Sequence, residues 1–333
     1  MTSPRRVPLS ILDLATIDRG ATMRDALEGS VALAQRAEAC GYRRIWYAEH
    51  HNMSSIGSSA TSVLIAHIAA HTEHIRVGAG GIMLPNHAPL TIAEQFGTLA
   101  TLHPGRIDLG LGRAPGSDQK TMQALRRDAR SAERFPHDVL ELQGYLSGES
   151  LVPGVDAIPG KGTDVALYIL GSSLFGAQLA ALLGLPYAFA SHFAPDALEQ
   201  AAAMYRREFR PSARLDEPYF IAGVNVIAAD SEAEAQEHLV TVRRARVGFF
   251  LAPGRKLSDD EADAILASPG GQQLVQMMRN TAVGTPPMVD EFLTEFARHC
   301  QADELIVAHS APTVEARLYS AELLADVAGL ESS

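Results

Sequence analysis

The chain has 333 residues, 47% of them hydrophobic, and carries a formal net charge of −11 from 28 basic and 39 acidic side chains. With its basic residues scattered, that balance opposes non-specific attraction to nucleic acid or anionic lipid, so neither is expected as a partner. No run approaches the roughly 20 apolar residues of a membrane span, residues 1–8 hold no signal-peptide core, and Cys40 and Cys300 lack the spacing of a disulfide framework or metal pair; a cytoplasmic protein is expected.

Apolar runs of strand length recur at 7–14, 44–48, 75–82, 107–111, 166–170, 187–190, 219–228 and 304–308. Between them lie segments with helical periodicity, such as Leu27, Val31 and Ala34 early and Val314, Leu318, Ala321 and Ala325 late. Strands that are apolar at nearly every position suit a parallel sheet covered on its outer face, and eight βα units are what closing a barrel requires. The predicted fold class is therefore α/β, a (β/α)8 TIM barrel forming one domain over 1–333. Pro195 and Pro312 are expected in first helical turns.

Two segments break the alternation. Residues 148–163 hold four glycines and two prolines and read as a loop. Residues 248–287, after the seventh strand, are too long for a plain connection and are expected to form an insertion, either a mobile lid over the barrel mouth or a brace or subunit contact. Phe249, Phe250, Met277 and Met278 in it suit either an apolar pocket or core packing.

Chemistry-bearing residues fall at the carboxyl ends of strands, where a barrel places its active site. The second strand runs into Ala48-Glu49-His50-His51; alternation allows at least one imidazole to face the mouth, where it can hold or pass a proton, or serve structure. The fourth strand delivers Arg113 behind Gly110 and Gly112. Its fork suits a phosphate or carbonyl, or an ion pair with a nearby acid. Asp108, inside that strand, reads as a buried polar contact. In Leu170-Gly171-Ser172-Ser173-Leu174-Phe175-Gly176, hydroxyls and backbone N–H groups gather at a helix start, which makes either an anion site or a simple cap.

The order Ala48-Glu49-His50-His51, Ser59-Ala60-Thr61-Ser62, Gly80-Gly81-Ile82-Met83-Leu84-Pro85-Asn86-His87, Gly105-Arg106 and Gly112-Arg113 resembles the bacterial luciferase-like flavin monooxygenase family over essentially the whole chain, in particular its single-chain alkanal-monooxygenase-like branch. The resemblance implies an FMN-dependent barrel. Reduced flavin from a separate NAD(P)H:flavin reductase meets O2, forms a C4a-peroxyflavin and oxygenates a small apolar substrate such as an aldehyde. It implies His50 as the catalytic histidine with His51 beside it, Arg113, Ser172, Ser173 and Gly176 around the flavin phosphate, and a non-proline cis peptide at Gly80-Gly81 beneath the ring. It also implies a homodimer, here through 59–71 with Val63, Leu64, Ile65, Ile68 and Ala69. Gly112 stands where the luminescent enzyme has a thiol, and Ser172 where it has an acid, so light emission is not implied.

Three alternatives stand beside this reading. F420-dependent hydride transfer would use the same barrel, and a non-catalytic flavin-binding protein would keep the fold without turnover. Metal hydrolysis would need Glu49, His50, His51, His192 and His309 to cluster, but the first strand lacks the expected His-x-His pair, and no metal is expected.

Overall fold

Every predicted strand is present in the computed structural model, which describes residues 6–114, 118–253 and 255–331. The ends of the expected 1–333 domain and position 254 of the expected lid lie outside these residues. The strands are β1 (Leu9–Asp13), β2 (Arg44–Tyr47), β3 (Arg76–Met83), β4 (Ile107–Gly112), β5 (Ala166–Gly171), β6 (Tyr187–Phe189), β7 (Phe220–Ala228), β8 (Thr281–Gly284) and β9 (Glu304–His309). All pairings between them are parallel; β1 to β7 follow one another round the ring, and β7–β9 and β9–β1 close it. The protein is a (β/α)8 barrel.

Alternation along each strand sorts the core into two layers. Ile11, Ile45, Val77, Leu109, Val224 and Val307 face outward and pack beneath the helices. Leu12, Trp46, Tyr168, Ala188, Ile221 and Ile306 form a separate cluster within the ring. Each leucine, isoleucine or valine side chain among them, taken wholly out of water, contributes about 1.5–3 kcal/mol.

The wall is built from α1 (Met23–Ala39), α2 (Thr61–Ala70), α3 (Pro89–Leu102), α4 (Gln119–Ala124), α5 (Phe135–Ser147), α6 (Leu174–Leu183) and α7 (Leu198–Glu208), followed by α8 (Glu232–Phe250), α9 (Asp259–Leu266), α10 (Pro269–Met277), α11 (Pro286–Cys300) and α12 (Val314–Ala328). α1 starts at a capping box in which Thr22 and Asp25 satisfy each other's backbone N–H. Pro195 and Pro312 precede α7 and α12 rather than opening them. The prolines of first turns are Pro89, Pro136, Pro269 and Pro286.

The strand count differs from expectation by one. β8, inside 248–287, pairs with β7 outside the ring, Thr281 opposite Asn225 and Gly284 opposite Ala228. Its four residues include one large apolar side chain, Val283, so no run marks it in the sequence. α8 lies on this strand pair through Ala235, Leu239 and Val242, joined by Ile227 and Met278 in a small buried cluster. Met278 is thus core. Arg244 fastens α8 to α9 through Asp259 at 2.8 Å and Asp263 at 2.5 Å. On α2, Leu64, Ile65, Ile68 and Ala69 are buried against the barrel and only Val63, 68% exposed, remains of the apolar face assigned to a dimer contact.

The amino-terminal end of the ring is filled by charge. Arg44 on β2 is ion-paired with Asp108 on β4 at 2.7 Å and with Glu304 on β9 at 2.9 Å, and donates to the Tyr168 hydroxyl on β5 at 2.6 Å. Trp46 Nε1 and Arg76 also donate to Asp108, while Ser10 and Tyr219 donate to Glu304. Asp108 is the buried polar contact its position suggests.

Candidate active site

The opposite end of the ring carries the other polar groups, and glycines shape it. Pairing between β3 and β4 shifts between Ala79 and Ile82, and within that irregularity the Gly80–Gly81 peptide is cis, as the resemblance implies. A Cβ on Gly80 would stand 2.9 Å from both Trp46 Cβ and Leu12 Cδ1. One on Gly81 would stand 2.6 Å from the Gly110 carbonyl oxygen, and backbone there cannot yield. The Gly81 carbonyl in turn accepts the Glu49 N–H at 3.2 Å, tying this shelf to the end of β2.

Glu49 is 1% exposed and surrounded by donors. His51 Nε2 lies 2.7 Å from its carboxylate and His87 Nε2 3.0 Å from both oxygens, while the Met83 N–H donates at 3.0 Å and Asn86 Nδ2 at 3.3 Å. Burial alone would raise the carboxyl pKa, but these bonds and the positive charge available on His87 bring it down to about 2. The bond from Glu49 raises the His51 pKa above its ordinary value, against desolvation. His51 is therefore oriented by Glu49, together with His87. The sequence reading did not foresee this hub; the clue was an acid immediately before two histidines.

His50, next along, is half-buried with its Nδ1 enclosed. It lies near His192 of the loop after β6, whose ring packs over Gly223 of β7, with Nδ1 2.5 Å from where a Cβ would be. Burial, then the charges of Arg246 on α8 and of His50, lower the His192 pKa to about 3, so its imidazole is neutral at physiological pH. Asn225, facing into the ring from β7, donates to the His192 carbonyl at 2.6 Å and accepts from Ser310 at 3.1 Å and from Arg246 at 3.4 Å.

On the other side of the mouth, Arg113 is exposed and places its guanidinium 4.0 Å from the centre of the Phe175 ring, in the first turn of α6. No carboxylate among the described residues forms an ion pair with it. Ser173 is the N-cap of α6, but its side chain makes no capping bond. Ser172 is half-buried beside it. Gly176 lets Tyr187 pack closely, since a Cβ there would lie 3.1 Å from the ring. An arginine above an uncapped helix start suits an anion. Beside it a cavity of about 240 Å³ is lined by Pro85, Asn86, Arg113, Met122, Arg127 and Asp128, among others.

The five residues of the metal alternative do not come together. His309 leaves the ring outward and is buried between Tyr42 and Ser320, 3.4 and 3.0 Å away, where burial lowers its pKa to about 3. Among the described residues, the trio whose donor atoms lie close enough for one ion is His137, Asp138 and Glu141 on α5, away from these groups.

A parallel ring that gathers imidazoles, a glycine shelf and an uncapped helix start at the carboxyl ends of its strands defines an α/β-barrel enzyme. The model of the luciferase-like monooxygenase family matches residues 8–299, and the chain belongs to that family of oxidoreductases. It is 48% identical to a luciferase-like monooxygenase of Escherichia coli K12 over 331 residues, covering 97% of each chain. It is 33% identical to an N-acetyl-S-alkylcysteine monooxygenase of Bacillus subtilis, over 96% of this chain and 98% of that one. Among solved structures, that of apo-MsnO8 superposes with a TM-score of 0.89 at 35% identity, covering 98% and 99% of the two chains. An FMN-bound type II Baeyer-Villiger monooxygenase from Pseudomonas putida and an F420-dependent tetrahydromethanopterin reductase from Methanopyrus kandleri each reach a TM-score of 0.69, at 16% and 17% identity. The first covers 96% of each chain and the second 96% of this chain and 98% of its own; these two share the fold alone. No helix among the described residues is long and apolar enough to cross a membrane.

Proposed function

We propose that the chain is a monooxygenase that takes reduced FMN and O2 as co-substrates and oxygenates a small organic molecule, with the flavin supplied by a separate NAD(P)H:flavin reductase. The observation that carries this reading is the side-chain-free Gly80–Gly81 surface of β3, set between the Glu49-His50-His51 segment and the Arg113–α6 pair. The donor set fits the cofactor: a flat ring can approach a strand surface that lacks Cβ atoms, and its phosphate can meet Arg113, Ser172, Ser173 and the backbone N–H of Gly176. Bound there, reduced FMN supplies the electrons that activate O2.

The chain's own residues supply position, water exclusion and a proton. His50 holds or passes the proton at the reacting oxygen, and Glu49 fixes His51 next to it through the 2.7 Å bond. Residues 248–287, joined to the mouth side of β7 through β8, serve as the lid that keeps water out. Two copies pair through α2, with Val63 at the contact. The relative that acts on N-acetyl-S-alkylcysteines supports a small organic substrate with an apolar part.

The test is an anaerobic titration of purified protein with reduced FMN and, separately, reduced F420, followed by rapid mixing with oxygenated buffer. Saturable FMN binding and a transient species distinct from both reduced and oxidised flavin are expected. Binding of F420 alone, without such a species, would overturn the oxygenase reading in favour of hydride transfer. His50→Asn should keep flavin affinity and lose product; unchanged turnover would remove His50 from its role.

A further inference from the structure

The apolar stripe by which α8 packs on β7 and β8 is Ala235, Leu239 and Val242, and the next position on the same face is Arg246. The stripe thus ends in a cation at the barrel mouth. Arg246 Nη2 lies 3.4 Å from Asn225 Oδ1. The residue is half-buried, and burial lowers its pKa from the ordinary guanidinium value. Its neighbour Arg244 has Asp259 and Asp263 as partners, whereas no carboxylate among the described residues forms an ion pair with Arg246.

An arginine stays protonated, and a half-buried cation without a counter-ion is placed to take an anion. The described groups round it supply no negative charge. Asn225 spends its amide on the His192 carbonyl and its oxygen on Ser310 and Arg246, and His192, with a buried Nδ1 that has no hydrogen-bond partner, is neutral. Half-buried Phe249 follows one helical turn on. This corner is also three strands round the ring from β4, where Arg113 begins its loop, so it is not the phosphate cradle.

We infer that Arg246, backed by Asn225 and with His192 beside it, is the anchor for a monoanionic carboxylate on the substrate, so that the molecule oxygenated is a small carboxylic acid with an apolar body rather than a neutral compound. One guanidinium fork matches one carboxylate in geometry and balances one charge. The apolar body then lies towards His50 and the glycine shelf. What becomes of the bound acid rests on the oxygenase reading; the anchor itself does not.

The test is calorimetric titration of the full-length protein, without flavin, using hexanoate, 3-phenylpropionate and N-acetylmethionine, each against its methyl ester. The acids should bind saturably and the esters at least tenfold more weakly. Arg246→Met should weaken the acids at least tenfold, leave the esters unchanged and not lower the melting temperature of the ligand-free protein, because it removes a half-buried cation that has no ion-pair partner among the described residues. Equal binding of acids and esters, no binding of any acid, unchanged acid affinity in Arg246→Met, or a large drop in its melting temperature would each overturn the anchor. Reduced FMN titrated into the same variant should bind as in the parent. Lost flavin affinity would instead assign Arg246 to the cofactor and overturn the proposal, whereas acid binding in a protein that never binds flavin would leave the anchor standing and remove the oxygenase reading.

Discussion

Glu49→Gln isolates the contribution of one buried charge at the mouth. Glutamine keeps the volume and one acceptor oxygen but turns an NH2 towards donors, namely His51, His87 or the Met83 N–H. The Glu49 pKa falls from 4.5 to about 2, a drop of about 2.5, which corresponds to about 3 kcal/mol favouring the ionised form in the folded state. Leaving a buried donor opposed by another adds about 1 kcal/mol. A loss of about 3–4 kcal/mol is therefore expected at pH 7, seen as a melting temperature roughly 4–6 °C lower for a chain of this length.

The pH dependence of this loss carries the stronger test. A depressed carboxyl contributes stability above its unfolded pKa and loses it as pH falls through the folded value, so the gap between parent and variant should narrow from pH 4.5 downwards. His51 behaves oppositely. Its raised pKa contributes stability below its ordinary 6.5 that fades as pH rises through the folded value, and in the variant its titration should move down. Thermal unfolding followed by circular dichroism from pH 3 to 8, with NMR titration of the His51 ring, reads both effects. Equal melting at pH 7, or a gap that stays constant below pH 4.5, would refute the reasoning.

Three further predictions follow from the same geometry. Gly81→Ala, with its Cβ 2.6 Å from the Gly110 oxygen, should cost about 1–3 kcal/mol and weaken flavin binding; parent-like melting and parent-like FMN affinity together would remove the shelf. Arg113→Met should weaken FMN at least tenfold in a fluorescence titration while sparing riboflavin, and an equal loss for both would deny a phosphate contact. His309, with its pKa held near 3 by burial, should stay neutral by NMR down to pH 4; because the unfolded chain takes up that proton first, stability should fall as pH drops below 6.5, and His309→Gln should flatten this slope.

All eight ring strands were legible because parallel strands buried on both faces leave unbroken apolar runs, and their order round the ring follows from βα alternation. β8 was not, since a four-residue strand on the outside of β7 needs one apolar side chain, Val283, and carries no periodicity. Within the mouth, His50, Arg113 and the glycine pair were visible as polar or small groups at strand ends. Their roles in three dimensions were not: that His51 is held by Glu49, or that His309 turns away towards Ser320, depends on which face the chain presents after the last ladder bond. Arg246 was hidden for another reason. It sits on a helix that a simple barrel would lay along its wall, and only the pairing of β8 with β7 brings that helix to the mouth.

The charged end of the ring has a consequence for assembly. Arg44, Asp108, Tyr168 and Glu304 come from four different strands, β2, β4, β5 and β9, and each satisfies another only when all four stand at their native heights. A slip of one residue in any of these strands would rotate its charged or hydroxyl group out of the ring and leave an unmatched ion in a medium of low polarity, at a cost of several kcal/mol. The plug therefore proofreads registration: misaligned closures are penalised where no ligand binds. Because that check is completed at the sealed end, the loops at the open end can diverge in sequence, and accept different substrates, without losing the shape of the barrel that carries them.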